Sequence, residues 1–411
     1  MPEWDRPTIQ ALQDAGLLLV EDGNHGEYRP RRDEFTVDGV AFVRAADMDS
    51  GRVNFSSVSH INAAAFQRIR KGIGRPLDVL LSHKGTVGKV AWVGKSPPPF
   101  VCSPQTTFYR SLDLDSLDPR FIYFYLQSPE FVSQLGSRKG ETDMADYVSL
   151  TEQRRLHIPL PPLPEQRAIA NILGALDDKI EANRRLVQLL LSHIAETWRL
   201  HFESNRAEWP ERPIGEVVRV VGGSTPRTTV EAFWDGDIAW AAPRDLSRLP
   251  SAPLLATERR ITKLGLRQIS SGLLPRGTVL LSSRAPIGYL AIAEIPLAVN
   301  QGFIGLVPGE RLPGLYLWQW LSHHVDEILS RANGTTFLEV SKANFRPMPI
   351  SLPPAKLVEM WLEPAESMYA AIVGREVESN ALGQLRDVLL PKLLSGELRV
   401  REAESLVGEA V

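Results

Sequence analysis

Apolar residues in the stretch 160–200 recur in alternating steps of four and three. The series runs through Ile169, Leu173, Leu176, Ile180, Val187, Leu190 and Ile194. Asn183 occupies the one place where an apolar residue is missing, and a single polar residue in such a seam often fixes the register of a coiled coil. The prolines of 161–164 suit the first turn of a helix. The pattern predicts one helix of about 38 residues, roughly 55 Å long. A helix with so narrow an apolar stripe needs a partner.

A candidate partner for this helix lies between 352 and 398 and also opens with Leu-Pro-Pro. Its imperfect heptad is carried by Met368, Ala371, Leu382, Leu385 and Leu389. Pro391 and Gly396 mark its predicted end. Two ordinary amphipathic helices in separate domains are one interpretation. A single antiparallel coiled coil within the chain is the other, and the repeat described next favours it.

The regions that precede the two long helices share one order of patterns. The segment GTVLLS at 277–282 matches DVLLS at 78–82, and each is followed by a loop that ends in glycine, Gly88 or Gly288. A helix with an aromatic face is predicted at 120–135. The chain therefore reads as a tandem repeat of a unit of about 190 residues. The predicted fold is α/β (α+β) with a two-fold internal repeat, in which a long antiparallel coiled coil separates two globular domains.

Domain boundaries follow from these patterns. A chain of 411 residues is too long for one ordinary domain. The predicted division is a first globular domain 1–160, a first coiled-coil helix 161–204, a second globular domain 205–352, a second coiled-coil helix 353–398 and a C-terminal tail 399–411.

Composition and charge narrow the class of protein. The apolar content of 43% is enough for packed cores, and the net charge of −3 gives no global signal for nucleic-acid binding. The single cysteine, Cys102, excludes an internal disulfide and fits a reducing compartment. The N-terminus lacks the layout of a signal peptide, and no apolar run approaches the ~20 residues that span a bilayer. We expect a cytoplasmic protein without membrane association.

Signals for catalysis are weak. The segment KGTVGK at 84–89 lacks the glycine spacing of a phosphate-binding loop, and Val90 stands where that loop needs Ser or Thr. The segment SPPPF at 96–100 resembles the Asn/Asp-Pro-Pro-aromatic motif of amino-methyltransferases, but Pro97 replaces the residue that would hold an exocyclic amine. No catalytic residue and no metal ligand are predicted.

Signals for binding are local, because basic residues gather on loops in both halves. In the first half the candidates for contact with DNA are Arg29, Arg31, Arg68, Arg70, Lys71, Lys84, Thr86, Lys89, Arg138 and Lys139. In the second half they are Thr225, Arg227, Arg259, Arg260, Ser283 and Arg284. An acidic protein can still present basic faces to phosphates, although an ordinary solvated loop is the alternative for each cluster. Residues 84–89 and 283–284 occupy equivalent loops, and their differences suit two different base sequences.

Four stretches resemble the specificity (S) subunits of type I restriction–modification systems: LPPLPEQRAIANIL at 160–173, LLPKLLSGEL at 389–398, DGNHG at 22–26 and GGSTP at 222–226. The resemblance implies two target-recognition domains, each reading half of a bipartite double-stranded DNA site. It also implies conserved helices that dock two methyltransferase (modification) subunits, which bind S-adenosylmethionine and methylate adenine. Restriction (motor) subunits would add ATP-dependent cleavage with ATP and Mg, so no cofactor is expected on this chain. The second copy departs from the family pattern, since it lacks the Pro-Glu-Gln-Arg that follows Leu-Pro-Pro-Leu in the first.

Two other classes of function stay open at this point. A self-contained two-lobed DNA methyltransferase or nuclease would need a cofactor loop or a metal-binding acidic cluster. A coiled-coil scaffold that does not bind DNA would lack salt-dependent affinity for duplexes. The resemblance favours a non-catalytic DNA-recognition subunit.

Overall fold

The structure is a computed structural model that describes residues 4–140, 146–204, 206–284, 286–334 and 338–408. The polar, glycine-containing sequence of 137–146 predicts a loop, and this segment and the predicted tail 399–411 lie partly outside these residues. The chain forms two compact units. Unit 1 comprises Met1–Ile180 with Ala381–Val411, and unit 2 comprises Glu181–Asn380. Each long helix contributes to both units.

Helices and strands follow one another in a similar order in the two halves. The α-helices are α1 Ile9–Asp14, α2 Ala63–Arg68, α3 Pro119–Tyr125, α4 Pro129–Gly136, α5 Leu150–Arg154, α6 Leu163–Phe202, α7 Ile214–Val217, α8 Pro243–Leu246, α9 Lys263–Leu266, α10 Gly314–His323, α11 Val325–Ser330, α12 Lys342–Phe345, α13 Ala355–Ser395 and α14 Val400–Gly408. The β-strands are β1 Leu18–Asp22, β2 Phe35–Thr36, β3 Val40–Val43, β4 Met48–Asp49, β5 Arg52–Val53, β6 Ser59–Ile61, β7 Val79–Ser82, β8 Val90–Trp92, β9 Phe100–Cys102, β10 Thr106–Ser111, β11 Glu211–Pro213, β12 Arg219–Gly222, β13 Trp234–Ala241, β14 Pro253–Leu254, β15 Arg259–Ile261, β16 Val279–Ser282, β17 Leu290–Ala293, β18 Leu297–Val299, β19 Phe303–Val307 and β20 Pro349–Ser351.

Unit 1 is built on two sheets. The larger has the strand order β1-β10-β7-β8-β5-β4, and the smaller has the order β2-β6-β3-β9. Strands β7 and β8 pair antiparallel with Val79 opposite Trp92, while β9 joins β3 in parallel. Apolar side chains such as Val43, Leu80 and Phe108 fill the space between the sheets. The larger sheet packs its other face against helices, so both of its faces are buried.

Unit 2 repeats this plan. Its five-stranded sheet has the order β12-β19-β16-β17-β14, and its three-stranded sheet has the order β15-β13-β18. Val279 lies opposite Ile292, in the register that Val79 and Trp92 adopt in unit 1, and β13 pairs with β18 in parallel. The short ladder of β11 and β20 corresponds to two isolated bridges in unit 1, where Asp5 pairs with Leu160 and Thr8 pairs with His157. The predicted internal repeat of an α/β unit is confirmed.

The long helices α6 and α13 pair in opposite directions within each unit. In unit 1 the start of α6 and the end of α13 supply core residues Ile169, Leu173, Leu176, Ile180, Leu382, Leu385 and Leu389. In unit 2 the end of α6 and the start of α13 supply Val187, Leu190, Ile194 and Met368. This is antiparallel pairing, so the interpretation of two unpaired helices does not describe the molecule.

The polar residue in the seam of α6 has a polar partner on α13. Asn183 is 4% exposed, and its Nδ2 donates to Glu378 Oε2 at 2.9 Å and to Ser379 Oγ at 3.3 Å. A buried amide that finds such partners avoids most of its desolvation penalty. Because a slip of the helices would break these bonds, Asn183 favours one register.

One of the two residues predicted to mark the end of α13 is confirmed, because the helix ends at Ser395, directly before Gly396, which has φ 72°. Two other predictions about the helices are wrong. Pro391 lies inside α13, which continues to Ser395. The neighbouring side chains Leu390 and Leu393 are buried in the core of unit 1, and that packing outweighs the hydrogen bond that proline removes.

The helix predicted at 120–135 is two helices, α3 and α4. Ser128 caps α4, because its Oγ accepts a hydrogen bond from the Phe131 N–H at 3.1 Å. Pro129 then occupies the first turn, where its missing N–H costs nothing.

Candidate nucleic-acid interface

A glycine positions the first loop of each unit. Gly23 follows β1, and a Cβ there would lie 2.1 Å from the carbonyl oxygen of Cys102. Gly223 follows β12, and its Cβ would lie 1.9 Å from the carbonyl oxygen of Val299. Only glycine allows such an approach. The motifs DGNHG and GGSTP therefore hold equivalent loops, here called the first loops (22–32 and 222–228), against equivalent strand ends.

A second loop lies against each first loop. In unit 1 a Cβ on Gly72 would be 2.7 Å from Gly23 Cα. In unit 2 the Ser224 hydroxyl donates to the carbonyl oxygen of Gln268 at 3.1 Å. Basic residues of 29–32 and 70–71, which are about forty residues apart in sequence, are thereby brought to one surface of unit 1.

An ion pair fixes this surface of unit 1. Arg68 Nη1 and Nη2 each lie 2.6 Å from a carboxylate oxygen of Glu34, and the hydrogen bonds from Arg68 lower the pKa of Glu34 to about 2. Arg68 was predicted to contact DNA, but its planar fork is occupied by Glu34. Five exposed basic residues here form no ion pair with another described residue: Arg29, Arg31, Arg32, Arg70 and Lys71.

The loop between β7 and β8 carries Lys84, Thr86 and Lys89. Lys84 and Thr86 are exposed and Lys89 is half-buried. The Lys84 ammonium lies 5.9 Å from the centre of the Tyr147 ring, so this loop rests on the segment before α5. The loop ends at Gly88 with φ 100°, a conformation that favours glycine.

Two predicted contacts near this loop are engaged in surface ion pairs. Arg138 Nη1 lies 3.2 Å from Glu152 Oε2, and Lys139 Nζ lies 2.7 Å from Asp146 Oδ2. Exposed pairs of this kind are weak, so both side chains can still exchange partners.

The equivalent loop of unit 2 presents a different surface. Arg284 is exposed and pairs with Glu339 at 3.2 Å. Ser283 was predicted to contact DNA, yet it is 2% exposed. Its backbone lies under the loop, where its N–H donates to Gly302 O at 2.8 Å and its carbonyl accepts from the Val340 N–H at 2.9 Å. Its hydroxyl is therefore not presented to a ligand.

Sequence reasoning missed a buried polar cluster under the unit 1 loop. His83 is 1% exposed, and its Nε2 lies 3.1 Å from the carbonyl oxygen of Pro104. Its Nδ1 lies 2.7 Å from Thr107 Oγ1 and 2.9 Å from Gln153 Nε2. Nε2 faces a carbonyl and therefore donates, whereas Nδ1 faces the amide N–H of Gln153 and therefore accepts, so the ring is neutral. Burial also lowers the pKa of His83. Because these residues are far apart in the sequence, no sequence motif pointed to the cluster.

Two tryptophans brace the first loop of unit 2. Trp240 Nε1 donates to the Ser224 carbonyl and Trp234 Nε1 donates to the Arg227 carbonyl, both at 3.2 Å. The Thr225 hydroxyl donates to the side chain of Gln301. Arg259 stacks on the same tryptophans, so it is brought together with the exposed residues Thr225 and Arg227.

Arg260 follows Arg259 on β15, where successive side chains point to opposite faces of the strand. Its side chain is exposed, and Nη1 donates to the Asp237 carbonyl at 3.4 Å. The structure therefore separates these two neighbouring predicted contacts.

The segment Pro-Glu-Gln-Arg, absent from the second copy, supplies a structural brace in unit 1. Gln166 is fully buried, and its Nε2 donates to the carbonyls of Pro161 and Ser116 while its Oε1 accepts from the Asp118 N–H. When the two Leu-Pro-Pro segments are aligned, Val358 in unit 2 corresponds to Gln166, and it is 4% exposed. A polar brace in one unit thus corresponds to an apolar contact in the other.

The described part of the chain contains no cluster of three or more His, Cys, Asp or Glu side chains arranged to hold a metal ion. None of its helices combines the length and apolar character needed to cross a membrane.

By its fold, the chain is a tandem-repeat protein in which two equivalent loop-bearing units share a pair of long helices. The family model described as the type I restriction modification DNA specificity domain matches residues 27–191 and again 206–357. The chain belongs to this family.

Individual relatives agree with this assignment. The chain is 36% identical over 151 residues to the type I restriction enzyme MjaIX specificity subunit of Methanocaldococcus jannaschii, a match that covers 36% of this chain and 34% of that one. It is 19% identical to the putative MjaX specificity subunit of the same organism over 97% of this chain and 94% of that one. The crystal structure of a type I restriction-modification S subunit from M. genitalium shares the fold, with a TM-score of 0.55 and 17% identity, covering 95% of this chain and 96% of that one.

Proposed function

We propose that this chain is the DNA-specificity subunit of a type I restriction–modification complex, and that each unit binds one half of a bipartite double-stranded DNA site. The observation that carries the proposal is that equivalent loops in two equivalent units present different side chains. Unit 1 offers Arg70 and Lys71 beside its first loop, whereas unit 2 offers Arg227 and a stacked Arg259. One scaffold with two sets of side chains suits two different half-sites.

We further propose that the chemistry belongs to other chains. Two methyltransferase (modification) subunits would bind S-adenosylmethionine, restriction subunits would bind ATP and Mg, and this chain would have no catalytic site. Exposed apolar side chains on the long helices support docking there, since Leu189 is 68% exposed and Met360 is 62% exposed. The proposed site of action is the cytoplasm, where the host DNA lies.

The test is to express the full chain with its modification subunits in a host that lacks adenine methylation, and to sequence the methylated adenines. We expect one motif made of two fixed half-sites with a spacer of constant length and free sequence. A continuous motif, or none, would refute the two-unit proposal. Tight binding of S-adenosylmethionine by the chain alone would refute the absence of a catalytic site.

Charge removal at Arg70 should weaken DNA binding without changing the sequence preference. Arg70 is exposed and forms no ion pair with another described residue, so we expect it to contact a phosphate. In the complex, Arg70→Gln should lower the slope of log K against log salt by about 0.9. Arg185→Gln, on the surface of α6, is the matched control and should leave the slope unchanged, because its side chain is 77% exposed and pairs with Glu181. Equal slopes for all three proteins would exclude the contact.

We propose that the helix pair sets the spacer length. Inserting seven residues after Ala182 in α6 and seven after Ser379 in α13 preserves the apolar stripe and adds roughly 10 Å. The preferred spacer should then lengthen by about three base pairs at ~3.4 Å each. The same insertion beside Lys95, in an exposed loop, should leave the spacer as it was. An unchanged methylated motif in the helix variant would end this idea.

A further inference from the structure

Arg259 has an unusual setting for an exposed side chain. Its guanidinium carbon lies 3.5 Å from the centre of the Trp234 ring and 5.5 Å from that of Trp240. The tryptophans meet edge to face, 5.1 Å apart, and are only 6% and 4% exposed. The guanidinium makes no hydrogen bond or ion pair with another described residue. Its plane is held by stacking while its N–H donors remain free.

Unit 1 contains an equivalent pair of aromatic residues, but no arginine stacks on it. Phe35 and Phe42 meet edge to face, 5.5 Å apart. Phe42 lies opposite Ser59 across the β3–β6 ladder, as Trp240 lies opposite Arg259 across the β13–β15 ladder. Ser59 therefore stands at the position of Arg259.

Ser59 has a different role from Arg259, because its hydroxyl accepts a hydrogen bond from Arg44 Nη2 at 2.8 Å. At this shared position unit 2 therefore has the guanidinium of Arg259 with unused N–H donors, whereas unit 1 has the short Ser59 hydroxyl, which is already hydrogen-bonded. A position that varies on a constant framework is where the two units can differ in what they read.

We propose that Arg259 reads a guanine in the half-site bound by unit 2, and that it is a specificity-determining residue of that unit. This inference rests on the proposed function. The guanidinium would donate two parallel hydrogen bonds to O6 and N7 of the base in the major groove, which is the commonest base-specific contact of arginine.

A base contact explains the setting better than a phosphate contact does. A phosphate can be reached by a flexible side chain from many directions. Among the described residues, no aromatic ring stacks on Arg70 or Arg227. A guanidinium that donates to two atoms of one base must keep its plane in a fixed orientation. Stacking on the tryptophan rings fixes that orientation. The same tryptophans donate their indole N–H groups to backbone carbonyls of the loop at 224–227. The position of this loop relative to the guanidinium of Arg259 is therefore fixed.

The test compares Arg259→Gln, Arg259→Lys and the matched neighbour Arg260→Gln in the complex with its modification subunits. Each protein would be offered duplexes in which every base pair of both half-sites is varied singly. Arg259→Gln is expected to lose about 5- to 150-fold discrimination for guanine at one position of one half-site. Arg259→Lys keeps the charge but lacks the fork, so it should lose discrimination at that position as well. Arg260→Gln should leave the preference for guanine at that position unchanged, because its side chain points to the opposite face of β15.

Other results would overturn the inference. Uniform weakening on all duplexes by Arg259→Gln, with recovery in Arg259→Lys, identifies a phosphate contact. A lower melting temperature of both variants with an unchanged motif identifies a packing role for the guanidinium. A wild-type complex without any bipartite motif overturns the proposed function and this inference together, whereas a wild-type motif retained by Arg259→Gln overturns this inference alone.

Discussion

Replacing Leu176 by aspartate is expected to destabilise unit 1 by about 4 kcal/mol or more. Leu176 lies at the seam of α6, is fully buried, and shares the main core of unit 1 with Leu382 and Leu389 of α13. The substitution removes apolar contacts and places a carboxylate in the apolar core of unit 1. Since whole domains are stable by only about 5–15 kcal/mol, a loss of this size should unfold unit 1 at moderate temperature.

The measurement is denaturant and thermal unfolding of the full chain, followed by tryptophan fluorescence and circular dichroism. Val388→Asp is the matched control, because Val388 lies on α13 within unit 1 and is 54% exposed. It should change the free energy of unfolding by less than about 0.5 kcal/mol. If Leu176→Asp and Val388→Asp unfold alike, the seam does not hold unit 1 together.

The parts of the fold that sequence could predict are those with a period or a repeat. Seven-residue spacing in α6 identified buried positions such as Leu173 and Ile194, because a seam needs one apolar stripe. The tandem similarity identified equivalent loops at Gly88 and Gly288, which share positive φ values of 100° and 103°. Gly396 correctly marked the end of α13, but the passage of the helix through Pro391 could not be predicted, because the buried contacts that stabilise it come from distant segments.

The candidate site was predictable as a set of loops but not side chain by side chain. Arg68 and Arg70 look alike in sequence, yet only Arg68 faces the Glu34 carboxylate across the fold. Ser283 sits beside an exposed arginine in sequence, but a hydrogen-bonded backbone holds it beneath the loop. Composition shows which residues can bind DNA, whereas the tertiary contacts decide which of them are free to do so.

Breaking the buried ion pair between Asp78 and Arg110 should destabilise unit 1. Asp78 is fully buried, and its carboxylate receives hydrogen bonds from Arg110 Nε and Nη2, both at 2.7 Å. In Arg110→Val the carboxylate keeps the backbone N–H of Arg75 at 2.7 Å but loses its counter-charge. A buried charge left unpaired costs about 3–5 kcal/mol, which unfolding of the full chain should show at pH 7.

Unit 2 supplies the control for this variant, because it builds the same corner without charge. Thr278 and Val307 stand at the places of Asp78 and Arg110, and the buried Thr278 hydroxyl donates to the Pro275 carbonyl at 2.7 Å. The double variant Asp78→Thr/Arg110→Val copies that arrangement. It should lie within about 1 kcal/mol of the wild type, since apolar replacement of a buried pair is often neutral. A double variant as unstable as Arg110→Val would show that the corner needs the ion pair itself.

The pH dependence separates lost charge pairing from lost packing at this corner. Burial raises the pKa of Asp78 above its usual 3.8, against the lowering effect of Arg110. A raised pKa means that the native state holds the proton more tightly than the unfolded chain does, so stability falls as pH rises from 3.8 through the native pKa.

Removing Arg110 should raise the pKa of Asp78 further. The destabilisation of Arg110→Val should therefore shrink as the pH is lowered, while the double variant, which has no carboxyl at position 78, should lack this contribution. A penalty in Arg110→Val that is independent of pH would assign it to the stacking of Arg110 on the Phe108 ring, 4.3 Å away, instead of to the unpaired charge.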